Sequence, residues 1–492
     1  VVAVPLHPPL GTSMLLRLQE IALDARPSVG LTTDAMLQRI RRRLDEVPAL
    51  AALDWLASED LPAGTPSQMH PAATQELAML QYTSGSTGTP KGVMLTHANL
   101  LGNATQVHHA FGSPQRPADG MVCWLPPFHD MGLMSGVLGP VFSNIESTLM
   151  SPTAFAQRPL RWLEVIGRFG ATLSGAPNFG YDLCALRISE EERHRLNLST
   201  WRVAFCGAEP IRHGTLQKFA DAFAACGFKQ DSFLPCYGLA EATVAVTASR
   251  EPAPVTLMLS AESLQDGRVV ETSVEGRVHV ACGRPIPGVR VLIVDLERRT
   301  LCPPHRVGEV WVQGPNVATG YWQQPERSRE VFGATLADAD EGTFLRTGDL
   351  GFMREGRLFV TGRAKDMIIV RGLNYYPQDI EASAEQSHAA LVHGGVAAFG
   401  VDGEEGERLV VVQEVRRTAR GGGVDGICDA VRAAVAQEHG IIPWAVLLVS
   451  QGRLPKTTSG KIRRNACRTM LLRRELEPLA AWYADPASAP DW

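Results

Sequence analysis

The most informative stretch of this chain reads Tyr82-Thr83-Ser84-Gly85-Ser86-Thr87-Gly88-Thr89-Pro90-Lys91-Gly92. The apolar run Ala78–Tyr82 before it predicts a strand, and residues 95–100 after it have a helical pattern. Glycines let several backbone N–H groups turn toward one point, and such a nest binds anions. We therefore predict a phosphate-binding loop rather than a flexible Ser/Gly linker, formed by Thr83, Ser84, Gly85, Ser86, Thr87, Gly88 and Lys91. Pro90 occupies the position of a Walker A glycine, so this is a different kind of phosphate loop.

The composition excludes several classes of protein. The chain has 492 residues, of which 45% are hydrophobic and 20% charged, so it is long enough for roughly three domain-sized units. Lys and Arg number 47 against 52 Asp and Glu, a balance that argues against nucleic-acid binding. We find no uninterrupted apolar run of about 20 residues, so we expect no membrane span. The nine cysteines lack metal-ligand spacing and predict reduced thiols in a cytoplasmic protein.

The order of predicted elements indicates an α/β protein with more than one part. Short β-branched runs alternate with helical segments up to about residue 254, which favours a layered α/β lobe. Short strands dominate after that point, and a smaller α+β unit follows Lys365. We expect a strand at Val1–Pro5, so that the chain begins inside a domain, and an Ala/Pro-rich linker from Pro478 onward.

Further motifs follow the loop in a fixed order along the chain. Together with the loop they resemble the signature motifs of adenylate-forming enzymes, a superfamily of acyl-CoA synthetases, peptide-synthetase adenylation domains and luciferases. The resemblance covers about residues 1–475. The motifs are Gly207-Ala208-Glu209-Pro210, Tyr237-Gly238-Leu239-Ala240-Glu241, Arg346-Thr347-Gly348-Asp349-Leu350-Gly351, Gly362-Arg363-Ala364-Lys365-Asp366 and Leu454-Pro455-Lys456-Thr457-Thr458-Ser459-Gly460-Lys461-Ile462-Arg463.

This resemblance implies a fold and a set of ligands. The fold is a large N-terminal lobe of stacked α/β subdomains plus a β-rich subdomain, residues 1–364, and a small mobile α+β C-terminal domain, residues 365–492. The ligands are ATP and Mg²⁺. Family members have further elements before the strand that matches Val1–Pro5, so we expect an N-terminally truncated chain.

The resemblance also assigns roles to residues of these motifs. Lys461 is the catalytic lysine, with Lys456 as the second candidate, and Lys365 is the hinge. A carboxylate facing a triphosphate needs a cation between them, so Glu241 is the candidate Mg²⁺ ligand, or else a helix-terminal acid. The remaining nucleotide-binding residues are Gly207, Ala208, Glu209, Pro210, Tyr237, Gly238, Ala240, Asp349 for the ribose hydroxyls and Arg363.

The segment Leu125–Gly132 bears on the substrate. Amino-acid-activating relatives carry an aspartate where this chain has His129, and Asp130 lies one place further on. The run Met131–Phe142 is small, apolar and uncharged, which favours the wall of an alkyl tunnel over a plain core helix. We take His129 as a candidate catalytic residue, and we predict an acyl pocket formed by Phe128, Met131, Gly132, Gly175, Pro177 and Phe179.

Several stretches are similar to fatty acyl-AMP ligases in particular, notably Ser174–Cys184 and Arg371–Glu381. Residues 254–282 resemble the insertion that these ligases carry, which limits small-domain rotation and disfavours CoA. The resemblance implies a fatty acid substrate and an acyl carrier protein with a phosphopantetheine arm. The basic segment Arg453–Arg474 is a candidate steering patch for that carrier, or a solvated helix face. A fatty acyl-CoA synthetase, an amino-acid-activating enzyme and a non-catalytic nucleotide-binding scaffold remain alternatives.

Overall fold

The structure is a computed structural model, and it describes residues 1–9, 11–61, 72–83, 90–112, 119–403, 406–417, 426–457 and 461–485. In its first part a helix packs on an antiparallel hairpin through Ile21 and Leu80. The strand expected at Val1–Pro5 is reduced to one bridge, from Ala3 to Met79. The elements are α1 (Thr12–Ala25), β1 (Val29–Thr32), α2 (Asp34–Arg41), α3 (Pro48–Ala51), β2 (Asp54–Ala57), β3 (Leu77–Thr83), β4 (Lys91–Thr96) and α4 (His97–Ala110).

The second part is built on a six-stranded sheet with helices packed against it. Leu160, Leu163 and Ile166 are buried at helical spacing and hold one of these helices on the sheet. The elements are β5 (Gly120–Cys123), α5 (Asp130–Leu133), a π-helix (Met134–Leu138), α6 (Gly139–Ser143), β6 (Glu146–Leu149), α7 (Pro152–Gln157), α8 (Leu160–Phe169), β7 (Leu173–Ala176), α9 (Asn178–Arg187), α10 (Glu190–Arg193), β8 (Val203–Cys206), α11 (His213–Phe223), β9 (Phe233–Tyr237) and β10 (Thr247–Ala248).

The order of strands in this sheet is β10-β9-β8-β7-β5-β6, and β6, β5, β7, β8 and β9 run parallel. Their carboxyl ends therefore share one edge, which is where open α/β sheets bind ligands.

The third part is β-rich, as its short strands predict. Residues 254–282 form an antiparallel pair with a helix between the strands, and Leu259 and Val269 are buried against Phe352 and Phe359. Between these strands Arg268 forms an isolated antiparallel bridge with Arg306, next to which Val269 N donates to the carbonyl of His305. The elements are β11 (Thr256–Leu259), α12 (Ala261–Gln265), β12 (Arg277–Val280), β13 (Arg290–Val294), β14 (Gly308–Gln313), α13 (Pro325–Phe332), β15 (Leu345–Arg354) and β16 (Arg357–Arg363).

The last part is a four-stranded sheet with helices. Two clusters of buried residues lie wholly beyond Lys365. A single 3₁₀ turn, Ala364–Asp366, connects this part to β16. The elements are β17 (Ile368–Val370), β18 (Leu373–Tyr375), α14 (Pro377–Gln386), β19 (Leu391–Gly403), β20 (Gly406–Val415), α15 (Ile427–His439), β21 (Ala445–Ser450), α16 (Arg464–Leu472) and β22 (Pro478–Tyr483).

The linker predicted from Pro478 is wrong over its first six residues. Residues 478–483 are strand β22, which pairs antiparallel with β21 so that Trp482 lies opposite Val446. Tyr483 is buried, and its ring lies 5.4 Å from that of Trp444. The many Ala and Pro residues favoured a linker, although two large aromatic side chains of this segment cover the sheet. Residues 486–492 lie outside the described part of the chain.

Candidate active site

A cavity of about 1760 Å³ lies at the carboxyl ends of β5, β7, β8 and β9. Its lining includes Lys91, Glu241 and Asp349 from the large lobe and Lys461 from the part beyond Lys365. The cavity is therefore a cleft between the two predicted domains. Lys91 and Lys461, which are 370 positions apart in the sequence, thus line one cavity, because antiparallel strands of the large lobe and the part beyond Lys365 face the carboxyl ends of the parallel strands.

Asp349 is held by two donors on the wall of this cleft. The Tyr237 hydroxyl donates to its Oδ2 over 2.7 Å, and Arg363 Nε donates to its Oδ1 over 2.8 Å. Burial and the Asp349 charge raise the pKa of Tyr237, so the phenol stays protonated. The same carboxylate raises the pKa of Arg363. Each carboxylate oxygen has a second lone pair, so the group can still accept two hydroxyl hydrogen bonds.

Glu241 and Lys91 lie on either side of a tyrosine. The Tyr321 hydroxyl donates to Glu241 Oε1 over 2.8 Å, and Lys91 Nζ lies 5.5 Å from the centre of the Tyr321 ring. Burial, followed by the charge of Arg327, lowers the pKa of Lys91 to about 8, while Glu241 acts in the opposite direction. Lys91 is therefore still mainly cationic at neutral pH and can attract phosphate.

The described residues fit a magnesium ion that is carried by a nucleotide. They contain no group of three or more His, Cys, Asp or Glu side chains arranged to hold a metal. Mg²⁺ commonly binds through one or two carboxylates together with substrate phosphates. Glu241, which Tyr321 orients in the same cavity as Lys91, is a suitable single carboxylate.

Lys461 points toward the acidic side chains of the large lobe. Its backbone N–H donates to Thr457 Oγ1 over 3.0 Å, which holds the end of its loop. Burial lowers the pKa of Lys461, while Glu209 and Asp130 raise it. The rival Lys456 instead donates to the carbonyl oxygen of Gly394 over 2.8 Å.

His129 and Asp130 form an ion pair after β5, with 2.6 Å between His129 Nδ1 and Asp130 Oδ1. The same carboxylate oxygen accepts the backbone N–H of Met131 over 2.6 Å. His129 and its neighbours lower the pKa of Asp130 against the opposing effect of burial. This aspartate thus already has two partners, which leaves it poorly placed to bind a substrate ammonium group.

A second part of the lining is apolar and carries no charged group. The π-helix Met134–Leu138, an irregularity often found at functional sites, begins in this wall with Met134 and Ser135. The run Met131–Phe142 thus contributes part of the lining, through Met131, Met134, Ser135, Gly139 and Pro140. The apolar lining includes Ala104, Val107, Ala110, Phe111, Met121, Phe128, Met131, Met134, Ile145, Leu173, Phe179, Phe205 and Val244.

Four residues predicted to line the site lie behind its wall. Gly132, Gly175 and Gly207 have no room for a side chain: an added Cβ would lie 2.1 Å from Pro126 O, 2.3 Å from Phe205 O and 2.8 Å from Cys236 O, respectively. Pro177 precedes α9 and is buried. None of the four lines the cavity, so their prediction as contacts is corrected to packing.

The structure places the other predicted residues as follows. Ser84, Gly85, Ser86, Thr87 and Gly88 lie outside the described residues. The remaining predicted residues line the cavity, namely Thr83, Lys91, Phe128, His129, Met131, Phe179, Ala208, Glu209, Pro210, Tyr237, Gly238, Ala240, Glu241, Asp349, Arg363, Lys365 and Lys461.

Comparisons with known proteins agree with this arrangement. Residues 1–322 match the AMP-binding enzyme family, and residues 365–480 match the AMP domain of Disco-interacting protein 2-like proteins. The chain belongs to the AMP-binding enzymes.

Individual relatives of this AMP-binding enzyme refine the comparison. It is 42% identical to the medium-chain-fatty-acid–[acyl-carrier-protein] ligase JamA of Moorena producens, over 97% of this chain and 82% of that protein. It is 36% identical to the long-chain-fatty-acid–AMP ligase FadD23 of Mycobacterium tuberculosis, over 98% and 84%.

Solved structures give the same result. A structure from a study of fatty acyl-adenylate ligases from E. coli and L. pneumophila matches with a TM-score of 0.85 and 34% identity, over 96% of this chain and 84% of that one. A ligase of L. pneumophila in complex with acyl adenylate and pyrophosphate matches with a TM-score of 0.71 and 38% identity, over 98% and 84%. The resemblance to fatty acyl-AMP ligases and the adenylate-forming fold are therefore confirmed, and the chain is an ATP-dependent ligase.

Two features of this AMP-binding enzyme are not predicted by its sequence. Tyr321 belongs to no motif, and only its position against Glu241 and Lys91 identifies it. The basic segment Arg453–Arg474 carries less unpaired positive charge than predicted, because three of its arginines form ion pairs with acidic side chains from outside the segment. The pairs are Arg453 with Glu477, Arg464 with Glu381 and Arg468 with Asp402.

Proposed function

We propose that the chain activates a fatty acid with ATP and then passes the acyl group to the phosphopantetheine thiol of an acyl carrier protein. In the first step a carboxylate oxygen attacks the α-phosphorus, the bond to the β-phosphate oxygen breaks, and pyrophosphate leaves. In the second step the thiol sulfur attacks the acyl carbonyl, the bond to AMP breaks, and the thiol proton is released. Neither step needs a covalent bond to the protein, so positioning and charge neutralisation supply the catalysis.

One observation carries the first step. A single cleft contains the phosphate-side cation Lys91, the tethered carboxylate Asp349 and the small-domain cation Lys461, next to an apolar wall. Asp349 would accept the ribose hydroxyls, with Tyr237 beside it for the adenine. Lys461 would stabilise the negative charge shared by the carboxylate and the α-phosphate, where a preorganised cation has most effect.

The acid is a fatty acid on two grounds. The apolar wall suits an alkyl chain. Asp130, the carboxylate nearest to the position that binds ammonium in amino-acid-activating relatives, is already paired with His129. Relatives named for medium-chain and long-chain fatty acids support the same substrate class.

Magnesium would be held by Glu241 together with nucleotide phosphates. When bound, it would neutralise charge on the leaving pyrophosphate. The residues that act from this chain are Lys91 on the phosphates and Tyr321, which keeps the carboxylate of Glu241 in place. We place the reaction in the cytoplasm, where the nine free cysteines would stay reduced.

The choice of a carrier protein over CoA is supported by a contact of the insertion, residues 254–282. Its Arg277 makes close contacts with Asp379 of α14 and His439 of α15, both in the small domain. Rotation of the small domain about Lys365 would break these contacts. The insertion therefore favours the orientation seen here and would limit how far the small domain turns during transfer, a limit that we propose disfavours CoA more than the thiol of a carrier protein. The ligase JamA, named for an acyl carrier protein, supports the same acceptor.

Mass spectrometry tests the proposal directly. The enzyme is incubated with ATP, Mg²⁺ and a panel of fatty acids, with CoA and a phosphopantetheinylated carrier protein offered in separate reactions. We expect acyl-AMP from saturated fatty acids and acyl-carrier protein as the transfer product. Acyl-CoA as the main thioester would instead identify a CoA synthetase, and an absence of pyrophosphate release with every acid would overturn the proposal.

A further inference from the structure

A histidine of the same cavity lining joins the two domains. His393, in strand β19 of the small domain, lies between two buried carboxylates. Its Nε2 is 3.2 Å from Oδ2 of Asp182 in α9 of the large lobe, and its Nδ1 is 3.1 Å from Oε1 of Glu385 in α14 of the small domain. Both ring nitrogens thus have an acidic partner, and one of these partners is across the domain boundary.

An arginine crosses the same boundary in the opposite direction. Arg212 of the large lobe places its Nη1 3.2 Å from Glu385 Oε1. Without these two cations, Asp182 and Glu385 would be like charges facing each other away from water, an arrangement that is strongly unfavourable. The cations therefore make this docked arrangement of the domains favourable. Hydrogen bonds to Asp182 and Glu385 raise the pKa of His393, which favours its cationic form between them.

The residue after His393 connects this contact to the catalytic loop. Gly394 N donates to Glu385 Oε2 over 2.8 Å, and Gly394 O accepts the ammonium of Lys456 over 2.8 Å. Lys456 begins the loop that ends with Lys461, since residues 456 and 462 form a bridge at its base. Gly394 adopts φ 64°, a conformation that disfavours other residues. One short turn thus holds both the large lobe and the loop of Lys461.

We propose that His393 is a positioning residue that, by bridging Asp182 and Glu385, holds the small domain in the orientation that brings Lys461 into the cleft. The inference rests on the proposed function. It adds that the adenylation step depends on this bridge, whereas acyl transfer, for which the small domain turns away, does not. His393 touches no reacting group in this scheme and acts through the position of Lys461.

The test compares the two half-reactions in His393→Ala, His393→Gln and Asp182→Asn. Adenylation is followed by pyrophosphate release with dodecanoic acid. Transfer is followed by AMP release from synthetic dodecanoyl-AMP with free phosphopantetheine as the thiol. We expect each variant to lower kcat for adenylation by about tenfold, the scale on which contacting charged pairs couple, with little change in KM for ATP and undiminished transfer. His388→Ala, an exposed histidine of the same domain, is the matched control.

These outcomes distinguish an effect of the His393 bridge from a general loss of stability and from a failure of the proposed function itself. The double variant Asp182→Asn/His393→Ala should be no slower than either single variant, because both remove the same contact. Additive losses, unchanged adenylation in His393→Gln, or equal losses in both half-reactions would overturn the bridge. A failure of the unmodified enzyme to release pyrophosphate would overturn the proposed function instead.

Discussion

The hydroxyl of Tyr321 donates to Oε1 of Glu241 over 2.8 Å, while the face of the same ring lies 5.5 Å from the ammonium of Lys91. One tyrosine therefore lies against both the cation and the carboxylate that we propose for the triphosphate site, and both line the same cavity. The hydrogen bond from its hydroxyl holds the Glu241 carboxylate and limits how far it can turn.

Replacing Tyr321 with phenylalanine tests this arrangement. The ring stays, but Glu241 loses its donor and becomes free to turn toward Lys91. We expect KM for Mg²⁺·ATP to rise about tenfold, the size of one hydrogen bond to a charged group, with little change in kcat. Pyrophosphate release measured over a range of ATP and Mg²⁺ concentrations gives both constants. Tyr375→Phe, in the small domain, is the control, and an equal effect of both changes would show that Tyr321 has no special role.

Lys461 and Lys456 lie in the same loop and have different surroundings. Lys461→Ala removes the cation that faces Glu209 and Asp130, so we expect acyl-adenylate formation to fall at least about 10²-fold. Transfer from preformed acyl-AMP should be spared. Lys456→Ala removes a bond to a backbone carbonyl and should cost about tenfold or less. If Lys456→Ala proved the more damaging in rapid-quench adenylation assays, the two assignments would have to be exchanged.

Arg277→Ala tests how the insertion controls the acceptor. The change removes the contacts with Asp379 and His439 but keeps the buried apolar residues of the insertion in place. We expect the ratio of acyl-CoA to acyl-carrier product to rise about tenfold, which corresponds to about 1.4 kcal/mol of docking energy. Arg268→Ala is the control, since Arg268 pairs with Asp266 inside the insertion. An unchanged product ratio would count against the insertion as the restraint.

The pKa of His393, raised to about 9 by Asp182 and then Glu385, predicts a pH dependence. Arg212 also faces this site, through Glu385. A raised histidine pKa stabilises the docked state fully below about pH 6.5, and the effect is lost as the pH rises through about 9. The ratio of adenylation kcat between the unmodified enzyme and His393→Ala should therefore fall toward one above pH 9. Lysines that titrate in this pH range are present in both proteins, so their effect cancels in the ratio. A ratio that does not change with pH would contradict the prediction.

Sequence alone was sufficient for the parts of the site that depend on one local pattern. Asp349, Arg363, Tyr237 and Glu241 each belong to a short motif. The end of β9 supplies Tyr237 and the turn after it Glu241, whereas the antiparallel strands β15 and β16 supply Asp349 and Arg363 to the same cavity. Tyr321 could not be predicted, because its role comes from contacts with Glu241 and Lys91, which are distant in sequence.

The errors have a common physical origin. The sequence does not show which way a glycine faces: Gly132 and Gly175, predicted to line the pocket, have a backbone carbonyl oxygen where a Cβ would lie. The charge of the basic segment was overestimated because its acidic partners, Glu381 and Asp402, come from other elements. Neither packing nor pairing across elements can be deduced from a single stretch of sequence.

Truncation after Glu477 tests the corrected assignment of the last strand. Removing β22 would expose the edge of β21 and leave Trp444 without Tyr483 against its ring. We expect the midpoint of thermal unfolding to fall by several degrees, since loss of a buried aromatic side chain costs about 3 kcal/mol or more. Truncation after Asp485, which keeps β22, is the reference, and equal midpoints for the two truncated chains would show that residues 478–483 contribute nothing.

Strand β22 also determines how a domain fused after it would move. Strand β22 is hydrogen-bonded into the four-stranded sheet. A polypeptide fused after Tyr483 would therefore be joined directly to the smaller domain and not through a flexible linker that starts at Pro478. A carrier fused at that point would be transported through the same arc as Lys461 during each catalytic cycle. The rotation of the small domain that we propose would then deliver a fused acceptor thiol with the same movement that withdraws the lysine.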